Sequence, residues 1–271
     1  MFRSPGPIAL AFRLPDNLPL GGGLSVSIRW YGVLIASSMA LGLWLAAREA
    51  ARRGESPDDL LKAAELALIG GLIGARLYYV LFNLDYYQTQ PWWRIFAVWE
   101  GGLAIHGGLI AGLLAGGAYV WAKGLPLLTY LDIVAPSLLL GQAIGRWGNF
   151  FNEEAFGRPT DVPWKLYISE PRRPPALVDQ QFFHPTFLYE SLWNAAMFLL
   201  VYFVLRRRLE RAPGALFLAY IGLYSLGRFW VEGLRTDSLM LGSLRIAQVV
   251  SVAAIIVAAV GIPILLRRRR I

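Results

Sequence analysis

Seven stretches of predominantly apolar residues organise this chain, at roughly 28–48, 63–83, 102–122, 127–144, 184–205, 214–234 and 246–266. A helix needs about 20 such residues to cross a hydrocarbon core. No stretch alternates apolar and polar residues with the period of two that a membrane barrel strand requires. The 271 residues are 56% hydrophobic and include ten Trp, with a mean hydropathy of +0.48. Few soluble domains have such a composition. The expected fold is therefore an all-α integral membrane protein, a single polytopic domain over 1–271 with seven transmembrane helices. The first apolar block begins near Ile28 and reads as an ordinary span, not as a cleaved secretory signal. Residues 1–27 hold several Pro and Gly, show no helical period, and are expected to form a lead at the membrane surface or outside it.

Basic residues orient the spans. They collect at Arg48, Arg52, Arg53 and Lys62, at Lys123, at Arg206, Arg207, Arg208 and Arg211, and at Arg267 to Arg270. With seven spans these stretches share one side, which positive-inside makes cytoplasmic. The N-terminus is then outside, the C-terminus inside, and the long loop 145–183 faces outward. The net charge of +8 suits a protein among anionic lipids. The basic residues flank spans and form no separate basic domain, so nucleic acid is not an expected partner. The absence of cysteine excludes disulfides, thiolate metal sites and any covalent mechanism through an enzyme thiol. No internal repeat is apparent, against a transporter built from inverted halves.

Within this topology five segments bring polar residues to the outer leaflet: Tyr31, Arg76, His106, Arg146, and the pair Arg228 and Glu232. The densest run is GRWGNFFNEEAFGRPT, Gly145 to Thr160. Its arginines offer planar charged forks, its amides and carboxylates offer polar partners, and Gly145, Gly148 and Gly157 allow tight turns or close approach. An Arg within an apolar helix costs on the order of 2.5–3.5 kcal/mol on insertion scales, so Arg76 and Arg228 require a reason. Arg76 admits two: a structural or headgroup-seeking side chain, or a ligand contact. Arg228, Glu232 and Arg235 project from one helical face. Glu232 can neutralise Arg228, but the excess of guanidinium groups suits a phosphate, which Arg grips with two N–H groups. His106, flanked by Gly101, Gly102, Gly107 and Gly108, reads equally as a general base or as a polar helix tip. His184, before Pro185 at a helix start, reads as structural. Tyr189 and Glu190 fit either lining or packing. The patches Gly70–Gly74 and Gly112–Gly117 read as close helix packing, and Trp92, Trp93 and Trp99 as an interfacial belt. An anion path or a lipid-binding scaffold are the competing classes. A path would spread its basic residues through the membrane depth, and a scaffold has no use for His106.

Residues 145–160 resemble the signature of the prolipoprotein diacylglyceryl transferases, Gly-Arg-x-Gly-Asn-Phe-x-Asn-x-Glu-x-x-Gly-Arg-x-Thr, at every fixed position. RWYG from Arg29, GARLYYVLFN from Gly74, GGLAIHGGL from Gly101, HPTFLYE from His184 and GRFWVEGLR from Gly227 resemble that family's other motifs, in order. Trp147, where an aliphatic residue is common, and Ala247 are small departures. The segment Asp161 to Gln181 matches no motif. The resemblance implies transfer of the diacylglyceryl group of phosphatidylglycerol to the lipobox cysteine of a prolipoprotein signal peptide, releasing glycerol 1-phosphate without a metal or organic cofactor. It implies a bacterial cytoplasmic (inner) membrane protein with its active site toward the outer face, and a monomer is expected. It maps functional positions onto Tyr31, His106, Arg146, Asn149, Glu154, Gly157, Arg228, Glu232 and Arg235. Catalytic roles are expected for His106, Arg146 and Arg228. Substrate contacts are expected from Tyr31, Arg76, Asn149, Glu154, Gly157, Glu232 and Arg235.

Overall fold

The computed structural model describes residues 1–13, 25–242 and 244–267, and is mostly helical. The arginines at 268–270 and part of the expected lead, 14–24, lie outside the described residues. In chain order, β1 (Phe2–Arg3), β2 (Ile8–Arg13) and β3 (Ser25–Arg29) precede α1 (Trp30–Arg52), α2 (Pro57–Leu81), the short α3 (Leu84–Gln88), α4 (Ile105–Ala122) and α5 (Leu127–Asn152). Next come β4 (Leu166–Tyr167), β5 (Phe182–Phe183) and α6 (Thr186–Leu199), which passes through a π-helical stretch, Leu200–Leu205, into the single turn α7 (Arg206–Arg208). Then α8 (Ala215–Glu232), β6 (Met240–Leu241), β7 (Leu244–Arg245) and α9 (Ile246–Arg267) complete the chain.

Among the described residues, five helical segments are long and apolar enough to cross a membrane: α1, α4, α5, the run Thr186–Arg208, and α9. Only 11% of the apolar window of α9 is buried inside the protein, so most of its surface is left to lipid. The helices α2 and α8, of 25 and 18 residues, carry Arg76 and Arg228.

Two boundaries differ from the apolar pattern for local reasons. α2 starts at Pro57, not at 63, because Ser56 caps it: the side chain accepts from the Asp59 amide at 3.1 Å. Pro57 occupies the first turn and Asp58 and Asp59 complement the helix dipole. α5 does not stop at 144 but runs to Asn152, so the first half of the signature is helical and not loop. It ends where Glu153 turns left-handed at φ 53°. Pro185 likewise caps α6 from outside the helix and is not its first residue. The lead, read only as non-helical, contains β2, which pairs antiparallel with β3.

The chain divides into two compact units, Met1–Gly42 with Val134–Ile271, and Leu43–Ile133. In the second unit α2 and α4 pack backbone to backbone. A Cβ on Gly71 would lie 3.2 Å from the Gly108 carbonyl, and one on Gly74 2.6 Å from that of Gly107. The glycine-rich patches are packing faces, as their composition suggested. At the other end of this unit Glu49 accepts from Arg52 and Arg53 at 2.7 and 2.8 Å, and Asp132 lies 3.8 Å from Arg53.

In the first unit, the unassigned segment 161–181 belongs to a small three-stranded sheet. β1 pairs parallel to β4, which pairs antiparallel to β5. Its apolar face (Leu166, Ile168, Phe183) packs on Phe150, Phe156 and Phe187. This cluster ties the end of α5 to the start of α6. Farther along, Ser191 donates to the Ala143 carbonyl at 2.8 Å and receives the Trp147 indole N–H at 3.1 Å. The aromatic departure at Trp147 thus has a use, since an aliphatic residue could not make that bond.

Candidate active site

α6 buries Thr186, Phe187, Glu190, Ser191 and Asn194 on one face, so Glu190 enters the protein with its side chain only 5% exposed. A buried carboxylate needs cations, and three converge on it. Arg146 Nε from α5 lies 2.7 Å from one oxygen. Arg228 Nη1 from α8 lies 2.9 Å from the other, and Arg235 Nη1 lies 3.7 Å from that same oxygen. One turn along from Arg228, Glu232 forms an ion pair with its Nη2 at 2.5 Å. Beyond the helix, Arg235 grips Asp237 with two bonds of 2.9 and 2.6 Å. Three guanidinium groups and three carboxylates therefore form one connected set. Arg146 spends its Nε on Glu190 and gives Asn149 only a long 3.4 Å contact from Nη1. Its side chain stays 23% exposed, so its terminal N–H groups can receive an anionic ligand.

The rest of the signature braces this set. Asn149 donates to Glu154 at 2.9 Å, and Asn152 does so at 3.3 Å. Glu153 receives the Ser169 amide at 2.9 Å and also the Ser169 hydroxyl, which anchors segment 161–181 to the signature. Glu153 and Ala155 both adopt positive φ, 53° and 56°. Such conformations are costly for residues with a Cβ and persist where the surroundings fix them. Gly157 donates to the His184 carbonyl at 3.0 Å, and Arg158 to that of Leu234 at 2.7 Å, placing the signature backbone beside Arg235. A Cβ on Gly157 would lie 2.8 Å from the His184 Cβ and 3.0 Å from the Leu234 oxygen. A side chain has no room at this position, so Gly157 lets the signature backbone pack closely on His184 and Leu234. Tyr31, in the first turn of α1, lays its ring on Gly148, where a Cβ would overlap it.

Outside the helices, burial, with the charge of Arg235 opposing it, sets the Asp237 carboxyl: desolvation pushes it up, and the Arg235 fork holds it below its usual value. For His184, burial first and the Arg158 charge second lower the imidazole below 6.5. Its Nδ1 lies 3.2 Å from the Tyr189 hydroxyl, which receives the Trp164 indole N–H at 2.8 Å. A depressed histidine favours the fold while neutral. Its contribution is complete above pH 6.5 and falls as pH drops from there through the lowered folded value, because the unfolded chain binds the proton first. We expect His184→Gln to reduce the loss of the thermal midpoint between pH 7 and pH 5. Parallel curves for the two proteins would contradict this.

Arg76 and His106 belong to the other unit. Arg76, 6% exposed, gives Nε to the Ile95 carbonyl at 2.7 Å and Nη2 to that of Arg94 at 2.6 Å. Its Nη1 serves Gly101 at 2.7 Å and Gly102 at 3.1 Å. The guanidinium is spent on backbone, which stitches segment 84–104 to α2. Gly102, at φ 72°, has no room for a Cβ beside Tyr79 and Arg76. Arg76→Ala strands these carbonyls and is expected to cost about 3 kcal/mol. The measurement is trypsin cleavage after Arg94, expected to accelerate in the variant; an unchanged rate would refute the role. His106 is exposed in the first turn of α4, its ring centroid 6.3 Å from that of Tyr78.

A family model described as prolipoprotein diacylglyceryl transferase matches residues 22–264. The chain belongs to the prolipoprotein diacylglyceryl transferase family. A relative from Gloeobacter violaceus is 48% identical over 98% of this chain and 95% of its own length. One from Thermosynechococcus vestitus is 50% identical over 93% of each chain. Both are named phosphatidylglycerol–prolipoprotein diacylglyceryl transferase. In this member of the transferase family, Arg146, Asn149, Glu154, Arg228, Glu232 and Arg235 come together as one bonded set. Glu190, which in the sequence fits either lining or packing, is the carboxylate at the centre of the set. The available signal was charge arithmetic: three arginines on two buried faces call for more than Glu232, and HPTFLYE places the only acid of α6 on its buried side.

Proposed function

We propose that this transferase moves the diacylglyceryl group of phosphatidylglycerol to the thiol of a precursor's lipobox cysteine, the first step of lipoprotein lipidation. The observation that carries the reading is the convergence of Arg146, Arg228 and Arg235 on one buried carboxylate, Glu190. The three carboxylates balance the three guanidinium groups, and the terminal N–H groups of Arg146, which no carboxylate among the described residues takes, are the ones suited to a phosphate. The sulfur attacks the glyceryl carbon bonded to the phosphate oxygen, and the S–C bond forms as the C–O bond breaks. The bonding pair leaves on the phosphate oxygen, so glycerol 1-phosphate departs. The thiol proton goes to a base.

Arg146 and Arg228 hold the phosphate and take up the charge that grows on the leaving oxygen, in a preorganised field. Glu232 and Asp237 fix the two arginines they bind, and Asn149 with Glu154 orients Arg146. Tyr31 forms a wall beside the last turns of α5. Arg76 acts on segment 84–104 and not on the lipid. His106 is the base in this reading, because the thiolate is the nucleophile and a free thiol with a pKa of about 8.5 is mostly protonated at neutral pH. Near-normal turnover of His106→Gln at pH 7 would remove it from that role. The membrane arrangement in this reading is one seven-span domain in the bacterial inner membrane. Its N-terminus is outside, its C-terminus is cytoplasmic, and the site lies toward the outer face. α2 and α8 supply the two spans beyond the five of sufficient length and apolarity.

The test is purified protein in phosphatidylglycerol vesicles with a synthetic signal peptide. A diacylglyceryl mass gain on the cysteine peptide and none on its serine counterpart is expected. No gain on either would refute the reaction.

A further inference from the structure

A cavity of about 290 Å³ opens beside the arginine cluster, and the mechanism above does not use it. Its walls come from Glu153–Phe156 just past the end of α5, from Arg172–Pro174, and from Thr236 and Asp237 after α8. None of these residues lies in a helix long and apolar enough to cross a membrane, so the cavity suits a water-side occupant and not an acyl chain. Two of its walls are bonded to the site. Glu154 holds Asn149, which contacts Arg146, and Asp237 holds Arg235. An occupant is thus separated from the guanidinium cluster by a single layer of side chains.

The charges within the cavity are unequally spent. Glu153 is bonded to Ser169, Asp237 to Arg235, and Arg173 to the carbonyls of Ile168 and Val178 at 3.0 and 2.8 Å. Among the described residues nothing bonds the exposed guanidinium of Arg172. Glu154 is bonded, among the described residues, only to the amides of Asn149 and Asn152, so the lining holds three carboxylates and two guanidinium groups, and Arg172 is the cation among them without a partner, next to apolar contact from Phe156 and Pro174. We propose that it receives the first residues that follow the reacting cysteine in the precursor, and that Arg172 favours an acidic side chain or carbonyl among them. This rests on the transfer reaction proposed above. In that reaction the apolar signal segment lies in the membrane, and the chain after the cysteine continues on the water side, next to the cluster.

The experiment uses full-length protein in phosphatidylglycerol vesicles and three peptides. One ends at the cysteine as an amide, and two extend five residues further with Asp or Lys in the second of them. The Asp peptide is expected to have a KM roughly tenfold below that of the short peptide. It should lie about threefold below the Lys peptide, as an exposed ion pair allows. Arg172→Glu should reverse the order of Asp and Lys while the KM for phosphatidylglycerol stays the same. Equal KM values for short and long peptides would overturn the proposal. So would an Asp-to-Lys preference that Arg172→Glu leaves intact, or an effect of that variant only on inhibition by glycerol 1-phosphate, which would give the cavity to the leaving group. Failure of all three peptides to react would refute the transfer reaction itself, a result distinct from reaction without discrimination.

Discussion

Replacing Arg146 or Arg228 with lysine is expected to lower kcat by about 10²–10³-fold, whereas Arg207→Lys should change it by no more than about twofold. The charge is kept in every case, so charge alone does not account for the difference. Each half-buried arginine divides its N–H groups: Arg146 pairs Nε with Glu190, and Arg228 donates one Nη to Glu190 and pairs the other with Glu232. Only a planar fork can hold those carboxylates and still present N–H groups to a phosphate; an ammonium offers one point of attachment. Arg207 is exposed. The assay is turnover on the cysteine peptide at saturating lipid. Similar mild effects at all three positions would mean that the guanidinium geometry does not contribute to the chemistry.

Glu190→Gln should be nearly as damaging, by a different route. The substitution preserves volume but removes the charge on which Arg146, Arg228 and Arg235 converge. Breaking a buried ion pair from one side costs about 3–5 kcal/mol, because the remaining charges lose their partner. Glu232 and Asp237 still bind Arg228 and Arg235, but Arg146 loses its only ion pair among the described residues. Both the unfolding midpoint and kcat should fall, and Arg146 should be the residue most displaced. Glu190→Asp should recover less than half of the loss, since a shorter side chain cannot span all three arginines. A glutamine variant with wild-type stability and turnover would show that Glu190 is not the organising group.

Five of the seven apolar stretches coincide with helices long and apolar enough to cross a membrane, because hydropathy over about 20 residues is a strong, local signal. The signature was also legible, but its shape was not. GRWGN reads as the start of a loop because it is polar and glycine-rich. α5 continues through it because Gly148 serves Tyr31, Phe150 is buried against Phe187 of α6, and the Trp147 ring meets the same Phe187 edge-on. Arg76 shows the same limit: an arginine in an apolar helix announces that it has a partner without saying which. Its partners are carbonyls 18 to 26 residues away in segment 84–104. Segment 161–181 gave no reading at all, since two-residue strands have no period to detect and Leu166 and Ile168 become core only once Phe150 and Phe183 cover them. Glu190 was ambiguous for the related reason that its role depends on three arginines distant in sequence.

The most direct test of the account is which bond of phosphatidylglycerol breaks. Purified protein, lipid and cysteine peptide are allowed to react, and the peptide mass and the released small molecule are measured together over time. If Arg146 and Arg228 hold a departing phosphate, one glycerol 1-phosphate appears for each diacylglyceryl group gained by the peptide. Free glycerol in its place, or a peptide that carries the phosphate, would mean that cleavage falls on the other side of the phosphorus and that the arginine cluster does not hold the leaving group.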